Sequence, residues 1–277
     1  MKSKKTKCMI LFIATMAIIF SCSGGDMKTD KVTYNVLKNV PDAAWENLSK
    51  KKIYFGHQSV GYDILHGIEE IIKENPGIDL KIKEAYRSDE FENGTISHSR
   101  IGYNSDPESK LKAFDFYMNA GGAKSLNIAL FKYCYVDFNK NTNINKIFQD
   151  YTETLKNLKT KFPDTIFIVS TVPLTTIQAG YKATIKRIMG KKLGGVEGNI
   201  KRNEFNDKLR NEYGDKQPFF DIAKVESTYP DGTRSTFEDG GNIYHSMVPE
   251  YTTDGGHLNS VGGKKVAEQF LLLLANL

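Results

Sequence analysis

The stretch Lys52-Ile53-Tyr54-Phe55-Gly56-His57-Gln58-Ser59-Val60-Gly61 decides how the rest of the chain is read. Ile53, Tyr54 and Phe55 are strand formers, and Gly56 closes a short apolar run that reads as a buried strand. The period then changes. From about Tyr62 to Asn75, the residues Ile64, Leu65, Ile68, Ile71 and Ile72 recur at helical spacing, and Pro76-Gly77 stops the run. A strand that passes directly into a helix is the opening of an α/β unit with a parallel sheet.

Working outward, the alternation repeats. Leu80–Ala85 reads as a second strand, and Ser125–Tyr135 is the most apolar run, as a central parallel strand would be. Thr165–Thr171 and Pro218–Ile222 are further strands. Helices are expected over about Glu108–Asn119, Asn145–Lys161, Ile200–Tyr213 and Ser260–Ala275. Two long polar segments, Arg87–Pro107 and Glu226–Gly256, are expected as loops, and loops of that length in a compact domain usually carry function. Residues Thr175–Gly198, with Gly190, Gly194 and Gly195, suggest an excursion over the sheet. No repeat and no linker-like composition interrupts this pattern, so residues 51–277 read as one α/β domain.

The first residues stand apart. Lys2, Lys4, Lys5 and Lys7 precede an uncharged apolar run from Cys8 to Phe20, too short to span a bilayer comfortably and shaped like a secretory signal. Ile19-Phe20-Ser21-Cys22 resembles the lipobox of bacterial lipoproteins. The resemblance implies a signal peptide over residues 1–21, cleavage before Cys22, a diacylglyceryl group on its sulfur, and membrane anchoring on the periplasmic or cell-surface side, with residues 22–50 as tether and lead-in. Several acyl chains anchor stably where one does so only marginally.

Composition limits the partners. The 277 residues are 40% hydrophobic and 26% charged, values of an ordinary globular chain. The net charge of +5 includes the four lysines of the signal and falls to +1 without them. The basic balance therefore does not describe a nucleic-acid surface. Beyond Cys8 and Cys22 only Cys134 remains, which excludes an intrachain disulfide in the mature chain and reads as a core residue in an apolar strand.

Two constellations carry chemistry. Ser59 follows the carboxyl end of the first strand and precedes a helix, the place where open α/β sheets bind ligands and where a helix N-terminus favours negative charge. The same position suits a serine that merely caps the helix. Near the other end, Thr253-Asp254-Gly255-Gly256-His257-Leu258-Asn259 precedes the last helix. Asp254 can turn back onto the His257 ring and fix the tautomer that leaves the second nitrogen as a base. A plain surface turn is the alternative. Each motif completes the other: Ser59 lacks a base, and His257 with Asp254 lacks a nucleophile.

Together these blocks resemble the SGNH/GDSL hydrolases, with Ser59 in the position of the family serine, Asp254 and His257 in its Asp-x-x-His block, and Leu258, Asn259 and Gly262 in the run that follows. The resemblance implies a flavodoxin-like three-layer α/β/α sandwich with a mainly parallel sheet of about five strands. It also implies acyl-transfer chemistry on an ester of a small molecule or glycan, with no cofactor and no metal. An oxyanion hole is implied from the Ser59 and Gly102 N–H groups and an asparagine side chain. The chain departs from the pattern in two places. Gln58 stands where the family has Asp, and Lys132-Tyr133-Cys134-Tyr135-Val136-Asp137 lacks the family's asparagine, so either Asn104 or Tyr135 is the third donor or the hole is depleted.

Other candidates are weaker. His98 and His245 read as solvated loop histidines, and His57 as a packing or substrate-binding group. No metal-ligand spacing, P-loop or dinucleotide fingerprint occurs. A nucleophile elbow would need glycine where His57 stands. The remaining rival is a lipoprotein that uses the same fold, without catalysis, to bind glycan or protein.

Overall fold

A computed structural model describes residues 37–277; the expected signal, the lipidation site Cys22 and most of the tether lie outside the described residues. In chain order the elements are α1 (Asp42–Leu48), β1 (Lys52–His57), α2 (Ser59–Glu74), β2 (Lys81–Glu84), β3 (Thr95–Arg100), α3 (Pro107–Tyr117), β4 (Ile128–Phe131), α4 (Ile144–Lys161), β5 (Ile166–Phe167), β6 (Val169–Ser170), α5 (Tyr181–Ile188), α6 (Val196–Tyr213), β7 (Phe219–Phe220), α7 (Ile222–Glu226), β8 (Thr236–Asp239), β9 (Asn242–His245) and α8 (Ser260–Ala275).

The main sheet is parallel, in the order β2-β3-β1-β4-β5, with β1 in the middle. A strand covered on both faces must be apolar on both, and in β1 every residue after Lys52 is buried. β6 and β7 form a short parallel pair beyond the main sheet. Helices α1, α2 and α8 pack together on one face, and α3, α4 and α6 on the other. This is the expected three-layer α/β/α sandwich. On the α8 side Phe270 lies between Phe55 and Phe220, with ring centroids at 5.7 and 4.7 Å. On the other side Tyr54, Phe114, Phe131, Tyr133, Tyr151 and Phe205 form a continuous aromatic core. Leu37, Trp45 and Leu48 are buried too, so the compact unit takes in much of the stretch read as lead-in.

Both segments expected as long loops contain strands. Thr95–Arg100, inside the 87–107 segment, is a buried strand seated between β1 and β2. Its Thr-Ile-Ser-His-Ser sequence hides it from a hydrophobic pattern, because its polar groups are satisfied internally, for example by the 2.7 Å bond between Ser99 Oγ and Tyr54 Oη. Within 226–256, β8 and β9 form a hairpin closed by Gly240-Gly241, whose φ values of +59° and +78° suit a two-residue turn of the favoured hand.

Helices α2 and α8 meet backbone to backbone. A Cβ on Gly67 would lie 2.5 Å from the Gly263 carbonyl oxygen, and one on Gly263 would lie 2.8 Å from the Asp63 carbonyl oxygen. Neither obstacle is a flexible side chain. Gly67→Ala is therefore expected to destabilise the fold by about 1–3 kcal/mol through overpacking, read as a lowered urea midpoint.

Candidate active site

Ser59 and His257 are 198 positions apart in sequence, and the fold brings them together. β1 delivers Ser59 to the first turn of α2, while the loop before α8 delivers His257. Their contact is a 2.9 Å hydrogen bond from Ser59 Oγ to His257 Nε2. The other ring nitrogen, Nδ1, donates to Asp254 Oδ2 at 2.6 Å. That bond places the proton on Nδ1 and leaves Nε2 as acceptor, the arrangement a general base needs. Ser59 is not the helix cap: Gln58 holds that position and the Ser59 hydroxyl is turned to the histidine.

The Asp254 loop is wound around its own carboxylate. Oδ1 accepts the N–H groups of Gly256 and His257 at 2.9 and 2.8 Å. Partial burial would raise the Asp254 carboxyl, but the bonds from the His257 ring and from the two amides outweigh it and hold the group well below the usual carboxylate range. Gly255 has φ +90°, and a Cβ there would also meet Thr176 Oγ1 at 2.8 Å, so the turn is closed to other residues. Asp63, four residues after Ser59 on α2, accepts the Leu258 N–H at 3.0 Å and ties the two motifs together directly.

Gln58 has a defined task. Its amide Nε2 donates to the carbonyl oxygens of Ile101 and Gly102 at 2.9 and 2.8 Å, holding the Gly102 turn beside the serine. Gly102 has φ +57°, and its backbone crowds Lys110, where a Cβ would lie 2.5 Å from N. Below this turn Lys110 and Asp137 form a fully buried ion pair at 2.7 Å. Lys110 Nζ also donates to the Tyr103 carbonyl, and Asp137 accepts from the N–H groups of Ser105 and Cys134. Asn104 is exposed and makes no hydrogen bond among the described residues. Tyr135 lies closer to the centre. Its ring stands edge-on to His257 with centroids 5.7 Å apart, and a Cβ on Gly256 would be 2.8 Å from its hydroxyl oxygen.

His98 and His245 differ from the solvated loop reading, while His57 takes the packing role, one of the two its sequence allows. His98 is a buried residue of β3, with Nδ1 3.1 Å from His57 Nε2. His57 Nδ1 can only donate to the Gln58 carbonyl at 2.7 Å, so Nε2 accepts the His98 proton. Burial depresses the His57 imidazole to about 3, which keeps it neutral and structural. Gly61 exists for this ring, since a Cβ there would fall 2.2 Å from His57 Cγ. His245 lies in β9, where burial also lowers its basicity and its backbone N–H bonds Asn203. Cys134 is buried, as its apolar setting suggests, with Lys132 Nζ 3.9 Å from its sulfur.

Several supporting residues have no signal in the sequence. Arg202 is buried, pushed down to about 10 by desolvation, and donates to the Tyr135 carbonyl and to Thr175 Oγ1. Asn199 fixes Thr175 through both backbone groups, and the next residue, Thr176, donates its N–H to the Gly255 carbonyl. Glu226, on α7, is fully buried. One oxygen accepts the Leu174 N–H at 2.7 Å and the other has no partner among the described residues. Burial pushes its carboxyl up to about 8, against the opposing pull of the Leu174 amide, Lys132 and Arg202. The native state therefore holds a proton there that the unfolded chain releases near 4.5, and stability is expected to fall as pH rises from about 4.5 to 8. Glu226→Gln should flatten that slope, seen as a smaller difference between urea midpoints at pH 5 and pH 8.5.

No family model and no curated protein matches the chain. Solved structures do. A protein from Streptococcus pneumonia, assigned provisionally as a platelet activating factor, superposes with a TM-score of 0.50 at 15% identity, over 87% of this chain and 95% of that one. The chain shares the fold of that protein. At lower scores it resembles a provisionally assigned G-D-S-L family lipolytic protein from Desulfitobacterium hafniense DCB-2 (TM-score 0.48, 9% identity, 80% and 99% covered). It also resembles the periplasmic domain of the Salmonella ser. Paratyphi A lipopolysaccharide acetyltransferase (TM-score 0.44, 13% identity, 90% and 98% covered). Within this fold, the Ser59–His257–Asp254 chain sits at the carboxyl end of the central strand β1, where sheets of this kind gather their ligands.

Proposed function

We propose that this chain is a serine esterase, exported and held at a membrane by lipid on Cys22, that removes acyl groups from a small-molecule or glycan ester. The observation that carries the reading is the continuous hydrogen-bond chain from Ser59 Oγ through the His257 ring to Asp254. Ser59 attacks the ester carbonyl as His257 Nε2 takes its proton, and the same proton goes to the departing alkoxide. The oxyanion is received by the N–H groups of Ser59, at the unsatisfied first turn of α2, and of Gly102. The Tyr135 hydroxyl is better placed than Asn104 to stand in for the missing asparagine. Water, activated by His257 in the second half, releases the acid.

The test is covalent. A fluorophosphonate probe is expected to label the native chain on one residue, and Ser59→Ala to abolish the label. A folded chain that takes no label and hydrolyses none of a panel of aryl acetates and acetylated glycans would sink the esterase reading. That outcome would favour a non-catalytic glycan or protein binder, the reading to which the absent asparagine points.

A further inference from the structure

We propose that α5 is a membrane-docking helix that lays its apolar face on an anionic phospholipid bilayer, an inference that stands whether or not Ser59 is a nucleophile. Its sequence, Tyr181-Lys182-Ala183-Thr184-Ile185-Lys186-Arg187-Ile188, is amphipathic in the wrong sense for a helix that serves the core. Tyr181, Ile185, Ile188 and the following Met189 recur at i, i+4, i+7 and i+8, so they share one face. That face points away from the protein: the four residues are 80%, 37%, 82% and 58% exposed. The helix is attached through Ala183, the only buried residue in it.

Charge identifies the occupant. From Thr175 to Val196 the chain carries Lys182, Lys186, Arg187, Lys191 and Lys192 and no acidic residue. Lys186 bonds Gln178 and Lys192 pairs with Asp239, while Lys182, Arg187 and Lys191 make no ion pair among the described residues. Exposed aromatic and aliphatic side chains flanked by unpaired cations are the composition of a helix that lies in the interface of an anionic bilayer. A protein partner fits less well, since a stable protein interface covers roughly 800 Å² on each side and one eight-residue helix offers a fraction of that.

The placement is also suitable. Gly180 and Gly190 bracket the helix at φ +75° and +63°, with open space around both. The excursion leaves the fold at Thr176, whose N–H bonds the Gly255 carbonyl, and rejoins it at Gly195, packed against the Thr176 carbonyl. The docking element is thus rooted beside the loop that carries Asp254 and His257.

Hydrogen–deuterium exchange on the full chain separates this contact from anchoring by the N-terminus. With vesicles of phosphatidylglycerol, the amides of residues 181–192 are expected to slow by about tenfold or more, and with phosphatidylcholine to change little. Replacing Tyr181, Ile188 and Met189 together by Ser should remove the protection while amides of β1 and α8 exchange as before. A second variant, Lys182→Gln with Arg187→Gln and Lys191→Gln, should weaken it without touching the apolar face. Unchanged exchange over 181–192 on vesicle-bound chain would overturn the proposal. So would equal protection on phosphatidylcholine, or protection that grows with protein concentration in the absence of lipid, which would assign the face to a second copy.

Discussion

Asp254→Asn is expected to lower kcat by about 10³–10⁴ while leaving the fold intact. The size of the effect follows from which oxygen does what. Oδ1 is committed to the Gly256 and His257 amides, and Oδ2 alone faces the ring. An asparagine keeps its one carbonyl oxygen on those amides, so its NH₂ must face Nδ1. A ring nitrogen that meets a donor becomes an acceptor, and the proton moves to Nε2, the atom that must receive one from Ser59. The variant should melt near the wild type, and its fluorophosphonate labelling should slow in proportion to kcat. Loss of folding would mean that the two amide contacts, rather than the tautomer, are the main business of Asp254.

Lys110→Met should be the most damaging of the buried substitutions, costing about 3–5 kcal/mol. It leaves Asp137 fully buried with two amides but no cation. The loss is expected as a lowered urea midpoint, and part of it should return when Asp137→Leu is added, because the orphaned charge is then gone. A catalytic deficit should accompany it, since Lys110 and Asp137 together hold the turn from Gly102 to Ser105. If Lys110→Met alone were neutral, the pair would be contributing geometry without energy.

The sequence shows the sandwich because most of its strands and helices obey a simple hydrophobic period. β1, β4 and α8 are examples, and the Ser260–Ala275 helix is legible to the residue. It conceals β3, whose Thr95, Ser97, His98 and Ser99 are polar yet buried, with His98 and Ser99 bonded to partners far along the chain. Ser59, Asp254 and His257 are legible as two motifs that complete each other, and the fold supplies the contact between them. The supports are invisible for the same reason. Little near Lys110, Arg202 or Glu226 in sequence announces a buried charge, because each has a partner far along the chain: Asp137, Thr175 and Leu174. Gln58 is the instructive departure. In sequence it only breaks the resemblance, and in the fold it proves to be a clasp on the Gly102 turn.

The glycine contact between α2 and α8 has a temporal consequence. One helix begins with Ser59 and the other follows His257, so the two halves of the site are registered by Gly67 against Gly263. A chain made from its N-terminus presents Ser59 early and His257 late. The Ser59–His257 contact therefore forms late, once α8 has docked on α2, and a chain cut short before His257 lacks it.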